Sequence, residues 1–223
     1  MRMKEIVDSV PLRDQIVDIM HQMILNGELK SNEKISERKI SSMLKVSTTP
    51  VKEAFRILQV EGLIVSSPRK GSFVSADVVE HLKQIAYLRS AIDGVAAHFA
   101  ARFATDDEIQ RMQSLLDCVE PLIASQKNAD LISKKNDEFH QVLRHASHNG
   151  YVVNLGENLR SIDNSIRSVI NKVDFQNIKD RHEEHKAILR AVKNRKGDLA
   201  ERLMVQHVRE APVVIDHKDS DSE

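Results

Sequence analysis

The sequence predicts a mainly α-helical protein built in two parts, with a small sheet in the first part only. Residues 36–74 contain two short helical segments followed by two β-prone runs. Everything from residue 77 to about residue 212 has helical periodicity and no strand signal. The 7 Gly, 5 Pro and no Trp among 223 residues agree with a mostly helical chain. We therefore expect domains at 1–76 and 77–215, followed by a disordered acidic tail at 216–223.

The first domain is predicted to contain three helices and two short strands. Its first helix carries apolar residues at helical spacing up to the stop signal Asn26-Gly27, and Ser36 and Ser47 are good N-caps for the next two helices. Turn-forming residues at 67–71 separate the two β-prone runs. The expected elements are a helix that has Pro11 in its first turn and stops at Asn26-Gly27, helices over 36–44 and 48–62, and strands over 63–66 and 72–75.

The second domain is predicted to be an antiparallel bundle of six helices, which is the simplest packing for six consecutive helical segments. Thr105 and Glu108 have the spacing of a capping box, while Asn149-Gly150 and Lys196-Gly197 mark breaks between helices. The expected helices lie near 77–103, 106–126, 129–148, 151–172, 177–195 and 198–211.

The first domain carries a basic patch in a chain whose formal net charge is zero. Residues 1–75 contain 12 Lys and Arg against 9 Asp and Glu, and five of those cations lie between Arg38 and Arg56. Two helices joined by a tight turn and followed by a two-stranded wing form the outline of a winged helix-turn-helix, which reads double-stranded DNA. A basic patch suits phosphate contact, although a solvated face without a partner explains the patch alone equally well.

The candidate DNA contacts follow from this outline. The first turn of the helix expected over 48–62 reaches base edges, the helix before it crosses the DNA backbone, and the tip of the wing lies near a minor groove. Helix capping by Ser47 and turn geometry at Gly71 are structural alternatives for these two residues. The predicted DNA-binding residues are Arg38, Ser47, Thr48, Thr49, Lys52, Arg69, Lys70 and Gly71.

Residues 12–75 resemble the winged-helix domain of the GntR family of bacterial transcription regulators. The matching segments are LRDQIVDIMHQMILNGEL, ISERKISSMLKVSTTPVKEAFRILQVEGLI and KGSFV. The family often has Arg where this chain has Thr48 and Lys52, so two guanidinium groups that bind guanine through paired hydrogen bonds are missing. The operator sequence is therefore expected to differ from that of relatives. The resemblance implies DNA contacts at Arg38, Ser47, Thr49, Lys52 and Gly71.

Histidines in the second domain form a candidate metal site. The two helices joined at Lys196-Gly197 are expected to run antiparallel, and His185 and His207 each stand 11 residues from Lys196. At ~1.5 Å per residue, both imidazoles lie roughly 16 Å from the turn and at the same level of the bundle. Each shares a helix face with apolar residues, so both are expected to point inward, where two histidines can hold a divalent metal.

A third candidate ligand is His140, which lies on a mostly apolar face with Asn136 one turn earlier on the same side. Asp137, one residue further round the helix, is expected to point elsewhere. Spacing alone does not exclude His182 as a rival ligand. Inward histidines with ordinary hydrogen bonds are the commoner outcome for such a pattern.

Residues 78–212 resemble the FCD effector domain of FadR-type GntR regulators, and six helices bring them closest to the VanR-like subgroup. The matching segments are LRSAIDGVAAHFAA, NDEFHQVLRHASHN and EEHKAILRAVKNRKGDLAERLMVQHV. The family has Asp more often than the Asn found at residue 136, and a neutral amide binds a divalent cation less strongly than a carboxylate. The metal ligands that the resemblance implies are Asn136, His140, His185 and His207.

The resemblance also implies a bound small organic acid, whose carboxylate completes the shell of a divalent metal such as Zn, Ni or Mn. Arg89 matches a position that the family uses, and Arg167 could face the same cavity. Both residues are equally well explained as partners in surface or interhelix salt bridges. Arg89 and Arg167 are the expected effector-binding residues.

The expected function is that of a metabolite-responsive transcription repressor, which binds a pseudo-palindromic operator in double-stranded DNA as a homodimer. The effector would favour one arrangement of the bundle and thereby alter the spacing or freedom of the two DNA-reading heads. The alternative is a metal-dependent hydrolase with an accessory DNA-binding domain. The chain has no HExxH, glycine-rich phosphate loop or nucleophile elbow, which argues against that alternative.

The remaining features indicate a cytoplasmic protein without a membrane partner. The N-terminus lacks the apolar core of a signal peptide, and no run approaches the ~18–20 apolar residues of a membrane span. Cys118 is the only cysteine, which rules out an internal disulfide and fits a reducing compartment. Because Cys118 lies beside Leu115, Leu116 and Val119, it is expected to be a buried thiol.

Overall fold

The structure is a computed structural model that describes residues 10–159 and 175–210. The chain forms two compact units, and the first ends at Lys83 while the second begins at Gln84. The expected fold class is confirmed, because the described residues are mainly helical and a three-stranded sheet lies in the first unit. None of the helices described is long and apolar enough to cross a membrane.

The first unit contains three helices and a small antiparallel sheet whose strand order is β1-β3-β2. The strand β1 was not expected, because two residues give no periodic signal, and it pairs Lys34 with Phe73. The two expected strands form one residue away from their predicted bounds, at the edges of the turn. The elements are α1 (Leu12–Leu25), β1 (Lys34–Ile35), α2 (Glu37–Leu44), α3 (Thr48–Val60), β2 (Ile64–Ser67) and β3 (Gly71–Val74).

The core of the first unit is formed by the inner faces of these helices. In α3, Val51, Phe55 and Leu58 lie at helical spacing and are 0–1% exposed. Ile16 and Met20 of α1 are equally buried. Burial of each such side chain stabilises the unit by about 1.5–3 kcal/mol. This packing turns the intervening residues of α3 towards solvent.

The second unit consists of helices in the described ranges, and the capping box that begins its second helix is confirmed. The Thr105 hydroxyl accepts a hydrogen bond from the backbone N–H of Glu108 at 3.2 Å, and the Glu108 carboxylate accepts one from the Thr105 N–H at 2.8 Å. The expected helix over 151–172 lies partly outside the described residues. The helices are α4 (Val78–Phe103), α5 (Asp106–Ala124), α6 (Ala129–Ala146), α7 (Gly150–Asn158), α8 (Phe175–Lys193) and α9 (Gly197–Arg209).

Small residues let α4 pack closely in this unit. A Cβ atom on Gly94 would lie 2.6 Å from Val205 Cγ2 of α9, so only glycine fits there without a shift. The α4 residues that enter the main core are largely alanines, and they pack with larger side chains such as Phe139 and Met204. The expectation that Cys118 is buried was wrong. Its thiol is exposed, because Leu116 and Val119 take the inward positions of α5 and leave Cys118 on the outer face.

Candidate functional site

The predicted DNA-reading face of the first unit is exposed along its whole length. Ser47 occupies the N-cap position of α3, but its side chain makes no capping hydrogen bond to the helix. The expectation that Ser47 caps α3 with its hydroxyl was therefore wrong, although its backbone does stand at the cap. The exposed residues of this face are Arg38, Ser47, Thr48, Thr49, Lys52, Arg69, Lys70 and Gly71.

The turn between α2 and α3 fixes the direction of α3, which is the predicted reading helix. Lys45 ends α2 in the left-handed conformation with φ 57°, which reverses the chain within three residues. The Ser41 hydroxyl then donates a hydrogen bond to the Val46 carbonyl at 2.6 Å. This side-chain to backbone bond holds the turn, so the first turn of α3 projects Thr48 and Thr49 into solvent.

The wing presents two cations at its tip. Ser67 pairs with Gly71 at the end of the hairpin, and the Lys70 N–H donates to the Ser67 carbonyl at 3.1 Å. Arg69 has φ 64° and Gly71 has φ 102°, so the second position requires glycine for backbone reasons alone. The geometry thus accounts for Gly71 as a turn residue. It leaves the side chains of Arg69 and Lys70 exposed on the same loop.

In the second unit the structure brings three of the four expected metal ligands together. His140 on α6, His185 on α8 and His207 on α9 are 0–2% exposed, and one ring nitrogen from each lies within 4.8 Å of the other two. The ring centroids of His185 and His207 are 4.3 Å apart, so these two imidazoles do lie at one level of the antiparallel pair. We call these three residues the histidine triad.

The donor set of the triad fits a divalent metal. His140 Nε2 lies 3.2 Å from His185 Nε2. Two nitrogens that share a zinc ion at about 2.0–2.1 Å lie roughly 2.9 Å apart at a right angle and roughly 3.4 Å apart at the tetrahedral angle. Asn136, one turn before His140, is 8% exposed, and its Oδ1 atom has no hydrogen-bond partner among the described residues. A buried carbonyl oxygen without a donor is costly unless a ligand satisfies it.

A buried ion network stands behind His140. His140 Nδ1 lies 3.1 Å from Asp93 Oδ2, and Arg144 donates to both Asp93 oxygens, from Nε at 2.6 Å and from Nη2 at 3.2 Å. Arg89 Nε lies 3.5 Å from the same carboxylate. All four side chains are nearly inaccessible to solvent. When the chain folds, Asp93 therefore loses its hydrogen bonds to water and gains contacts with charged protein groups.

A second group of charged residues surrounds His207. Its Nδ1 lies 2.6 Å from Glu184 Oε2, and Arg181 donates to its backbone carbonyl at 2.9 Å. The Arg181 Nη2 atom is also 3.1 Å from His207 Nε2, so the guanidinium lies against the ring. Burial, followed by the neighbouring His185, holds the pKa of His207 well below its usual range. Burial also raises the pKa of Glu184.

His182 does not join the triad. It is buried, and neither of its ring nitrogens has a hydrogen-bond partner among the described residues. The charges that act on it are Lys186 and, more weakly, Glu120, Glu183 and Asp117, which places it towards α5. Burial first, and then Lys186, lowers the pKa of His182. The geometry therefore favours His140, His185 and His207 over this rival.

The remaining residues that the sequence analysis singled out in the second unit are Arg89, Arg167 and Asp137. Arg89 is 4% exposed and contacts Asp93, so it lies inside the bundle. Arg167 falls outside the described residues. Asp137 is buried beside Asn136, and its carboxylate accepts a hydrogen bond from Gln141 one turn further along α6.

Sequence reasoning missed Asp93, Arg144 and Arg181. Each stands four residues from a residue that had been singled out, since Asp93 follows Arg89, Arg144 follows His140 and Arg181 precedes His185. Residues four apart share a helix face. That spacing was the available signal, but charged residues are usually exposed and an apolar neighbourhood did not suggest them.

Comparison with known families agrees with both halves of this description. Residues 12–74 match the family described as bacterial regulatory proteins, gntR family, and residues 84–210 match the family described as FCD domain. The chain therefore belongs to the GntR-family regulators that carry an FCD domain.

Individual relatives are also transcription regulators. The HTH-type transcriptional repressor RspR of Escherichia coli (strain K12) is 27% identical over 203 residues, which cover 90% of this chain and 87% of that protein. The Nta operon transcriptional regulator of Aminobacter aminovorans is 28% identical over 187 residues, which cover 84% of this chain and 86% of that protein. The protein is thus a DNA-binding transcription regulator and not an enzyme, and the hydrolase alternative has no support.

A solved structure shares the fold. E. coli McbR/YncC matches with a TM-score of 0.66 at 18% sequence identity, covering 90% of this chain and 94% of that chain. At this identity the likeness concerns the fold alone.

Proposed function

We propose that this regulator is a metabolite-responsive repressor whose helical unit binds a small organic acid through a divalent metal. The observation that carries the proposal is the convergence of three buried imidazoles from three helices. His140 and His185 turn their Nε2 atoms towards each other at a distance of 3.2 Å. Two such atoms can both be satisfied by one metal ion.

The residues that would hold the metal are Asn136, His140, His185 and His207. Imidazole nitrogens with one amide oxygen suit Zn, Ni or Mn. A metal bound there would supply a buried positive charge that a carboxylate can coordinate. An amide in place of a carboxylate keeps the ligand set neutral, because the imidazoles bind in their neutral form, and the net charge left at the centre favours an anionic effector.

Arginines near the triad would help to hold the acid. Arg89 lies within the bundle beside Asp93, and Arg181 lies against the ring of His207. A guanidinium can bind a carboxylate through two parallel hydrogen bonds, and such bonds are stronger away from water. We therefore add Arg181 to Arg89 as an effector-binding candidate, and Arg167 stays a prediction.

The DNA-reading face would bind the operator as part of a homodimer in the cytoplasm. A dimer matches a pseudo-palindromic site and doubles the number of phosphate contacts. Leu88 and Val95 of α4, seven residues apart on one helix face, are 55% and 36% exposed. Such apolar side chains suit contact with a second copy. Sedimentation of the purified protein, compared with a variant that carries both Leu88→Glu and Val95→Glu, would test this point. A protein that sediments as a monomer without either substitution would contradict it.

The decisive experiment combines metal analysis, ligand screening and DNA binding on the full-length protein. We expect close to one Zn, Ni or Mn per chain, and a rise of the melting temperature with a subset of small carboxylates. The same acids should release an operator fragment selected from random duplex. Protein that takes up no metal and responds to no carboxylate would overturn the sensor proposal. Failure to prefer any duplex would instead count against the operator proposal.

A further inference from the structure

We infer that Asp93 is a positioning residue for the metal centre, because it keeps the proton of His140 on Nδ1 and so presents the Nε2 lone pair to the metal. This inference rests on the metal site proposed above. It also assigns the same but weaker role to Glu184, which stands at Nδ1 of His207. Neither carboxylate is itself a ligand in the proposed set.

The position of the proton on the His140 ring follows from the partners of Asp93. This carboxylate is 0% exposed, accepts hydrogen bonds from Arg144 at both oxygens and lies 3.5 Å from Arg89 Nε in an ion pair. An oxygen of this carboxylate acts as a hydrogen-bond acceptor towards a ring nitrogen, as both oxygens do towards Arg144. The contact of 3.1 Å with His140 Nδ1 therefore requires a proton on that nitrogen.

The consequence concerns the other nitrogen of the ring. A neutral imidazole carries one N–H proton, so a proton on Nδ1 leaves Nε2 of His140 unprotonated, with a lone pair that can bind a metal. This atom is the one that lies 3.2 Å from His185 Nε2. Without Asp93 the proton could move to Nε2, and metal binding would first have to remove it. The carboxylate also fixes the rotation of the ring.

Arg144 holds Asp93 in place, and a glycine makes room for Arg144. The Arg144 side chain is 2% exposed and donates to both oxygens of Asp93. A Cβ atom on Gly156 of α7 would lie 2.6 Å from Arg144 Cδ and 2.8 Å from its Nε. Gly156→Ala would therefore displace the arginine without changing Asp93 or the triad. It offers a second way to loosen the same carboxylate.

Glu184 provides an internal comparison. Its contact with His207 Nδ1 is shorter, at 2.6 Å, but its side chain is 37% exposed. Its arginine partner, Arg181, lies at 3.7 Å, compared with 2.6 Å for the Arg144 contact of Asp93. A solvated carboxylate is held less firmly and can be replaced by water. Its loss should therefore cost less than the loss of Asp93.

The test is a titration of metal-free, full-length protein with Zn²⁺, Ni²⁺ and Mn²⁺ separately. We expect Asp93→Asn to weaken binding of the preferred metal by about 10–100-fold, because removal of such outer partners has effects of this size in other proteins. Glu184→Gln should weaken it by a few-fold, by roughly the loss of one exposed pair. Glu108→Gln is the matched control, since Glu108 contacts His148 Nε2 at 3.1 Å outside the triad, and it should leave metal affinity unchanged.

A second measurement does not depend on any variant. Nitrogen-15 NMR of histidine-labelled, metal-free protein at neutral pH should show His140 protonated on Nδ1. Protonation on Nε2 would overturn the inference, even if Asp93→Asn failed to fold. Equal metal affinity of folded Asp93→Asn and unaltered protein would also overturn it, and Gly156→Ala should follow Asp93→Asn in direction. Absence of metal binding by the unaltered protein would instead overturn the proposed site, while the NMR result would still report on Asp93.

Discussion

The DNA-reading face and the histidine triad place their polar groups in opposite environments. All eight predicted DNA contacts are exposed, and Ser47, at the N-cap of the reading helix, makes no capping hydrogen bond. The three histidines are at most 2% exposed, and they contact each other, Asp93 or Glu184. In the first unit, water is the partner that DNA would replace. In the second, partners are built into the fold.

This difference in environment determines how much the polar groups of each region affect the stability of the protein. An exposed lysine or arginine contributes little to stability, so it can be kept for phosphate contact. A buried imidazole or carboxylate must find partners, because an unsatisfied polar group costs about 1–3 kcal/mol. We therefore expect substitutions on the reading face to change DNA binding and not stability, whereas substitutions around the triad should change ligand binding and stability together.

The largest expected effect is the loss of metal from the double variant His185→Ala and His207→Ala. Two of the four proposed ligands disappear, so stoichiometric metal content should fall to background and the response to the effector should be blunted. Circular dichroism should still show a helical protein. His182→Ala is the control, because it removes a buried histidine of the same helix outside the triad. Full metal content in the double variant would show that the site is misassigned.

A smaller effect is expected from Lys52→Ala on the reading face. Loss of one phosphate contact should weaken operator binding and reduce the slope of log affinity against log salt by about 0.9. The free energy of unfolding should stay within about 0.5 kcal/mol. Lys127→Ala, an exposed lysine of the second unit, is the control and should leave the slope unaltered. The same slope in both variants would remove Lys52 from the interface.

The third prediction concerns pH and the buried His182. Burial lowers the pKa of His182 in the folded protein, so below pH ~6.5 the unfolded chain takes up a proton that the folded chain refuses. Stability from this residue is thus present above pH ~6.5 and is lost as the pH falls below it. We expect His182→Leu to recover about 1 kcal/mol of the loss between pH 7.5 and pH 5.5, measured by urea unfolding of metal-free protein. Parallel pH profiles for the two proteins would contradict this account.

The smallest effects contrast two N-caps. Thr105→Ala removes a capping box and should lower the free energy of unfolding by about 1 kcal/mol without any change in DNA affinity. Ser47→Ala removes a hydroxyl that makes no capping bond, so it should cost less stability and weaken DNA binding instead. Chemical denaturation and a binding titration of both variants give the four values needed. A greater loss of stability from Ser47→Ala than from Thr105→Ala would contradict the proposed difference between the two regions.

Local sequence signals were sufficient where a feature is built from neighbouring residues. The capping box at Thr105, the left-handed glycine at Gly71 and the face of α3 follow from short-range rules of turns and helical spacing. The strand β1 was missed because two residues carry no period, and its pairing with β3 depends on contacts far along the chain. Cys118 was misplaced because apolar neighbours in sequence do not share its helix face.

By itself, the sequence determined the class of fold, the exposure of the predicted DNA-reading face and the inward position of the three histidines, because helical period and turn chemistry are properties of adjacent residues. Only the tertiary structure decided that Asp93 of α4 and Arg144 of α6 meet behind His140, and that His182 stays outside the triad. The physical reason is that a buried charge is stable only beside a partner of the opposite charge. Here that partner lies on another helix, 51 residues away.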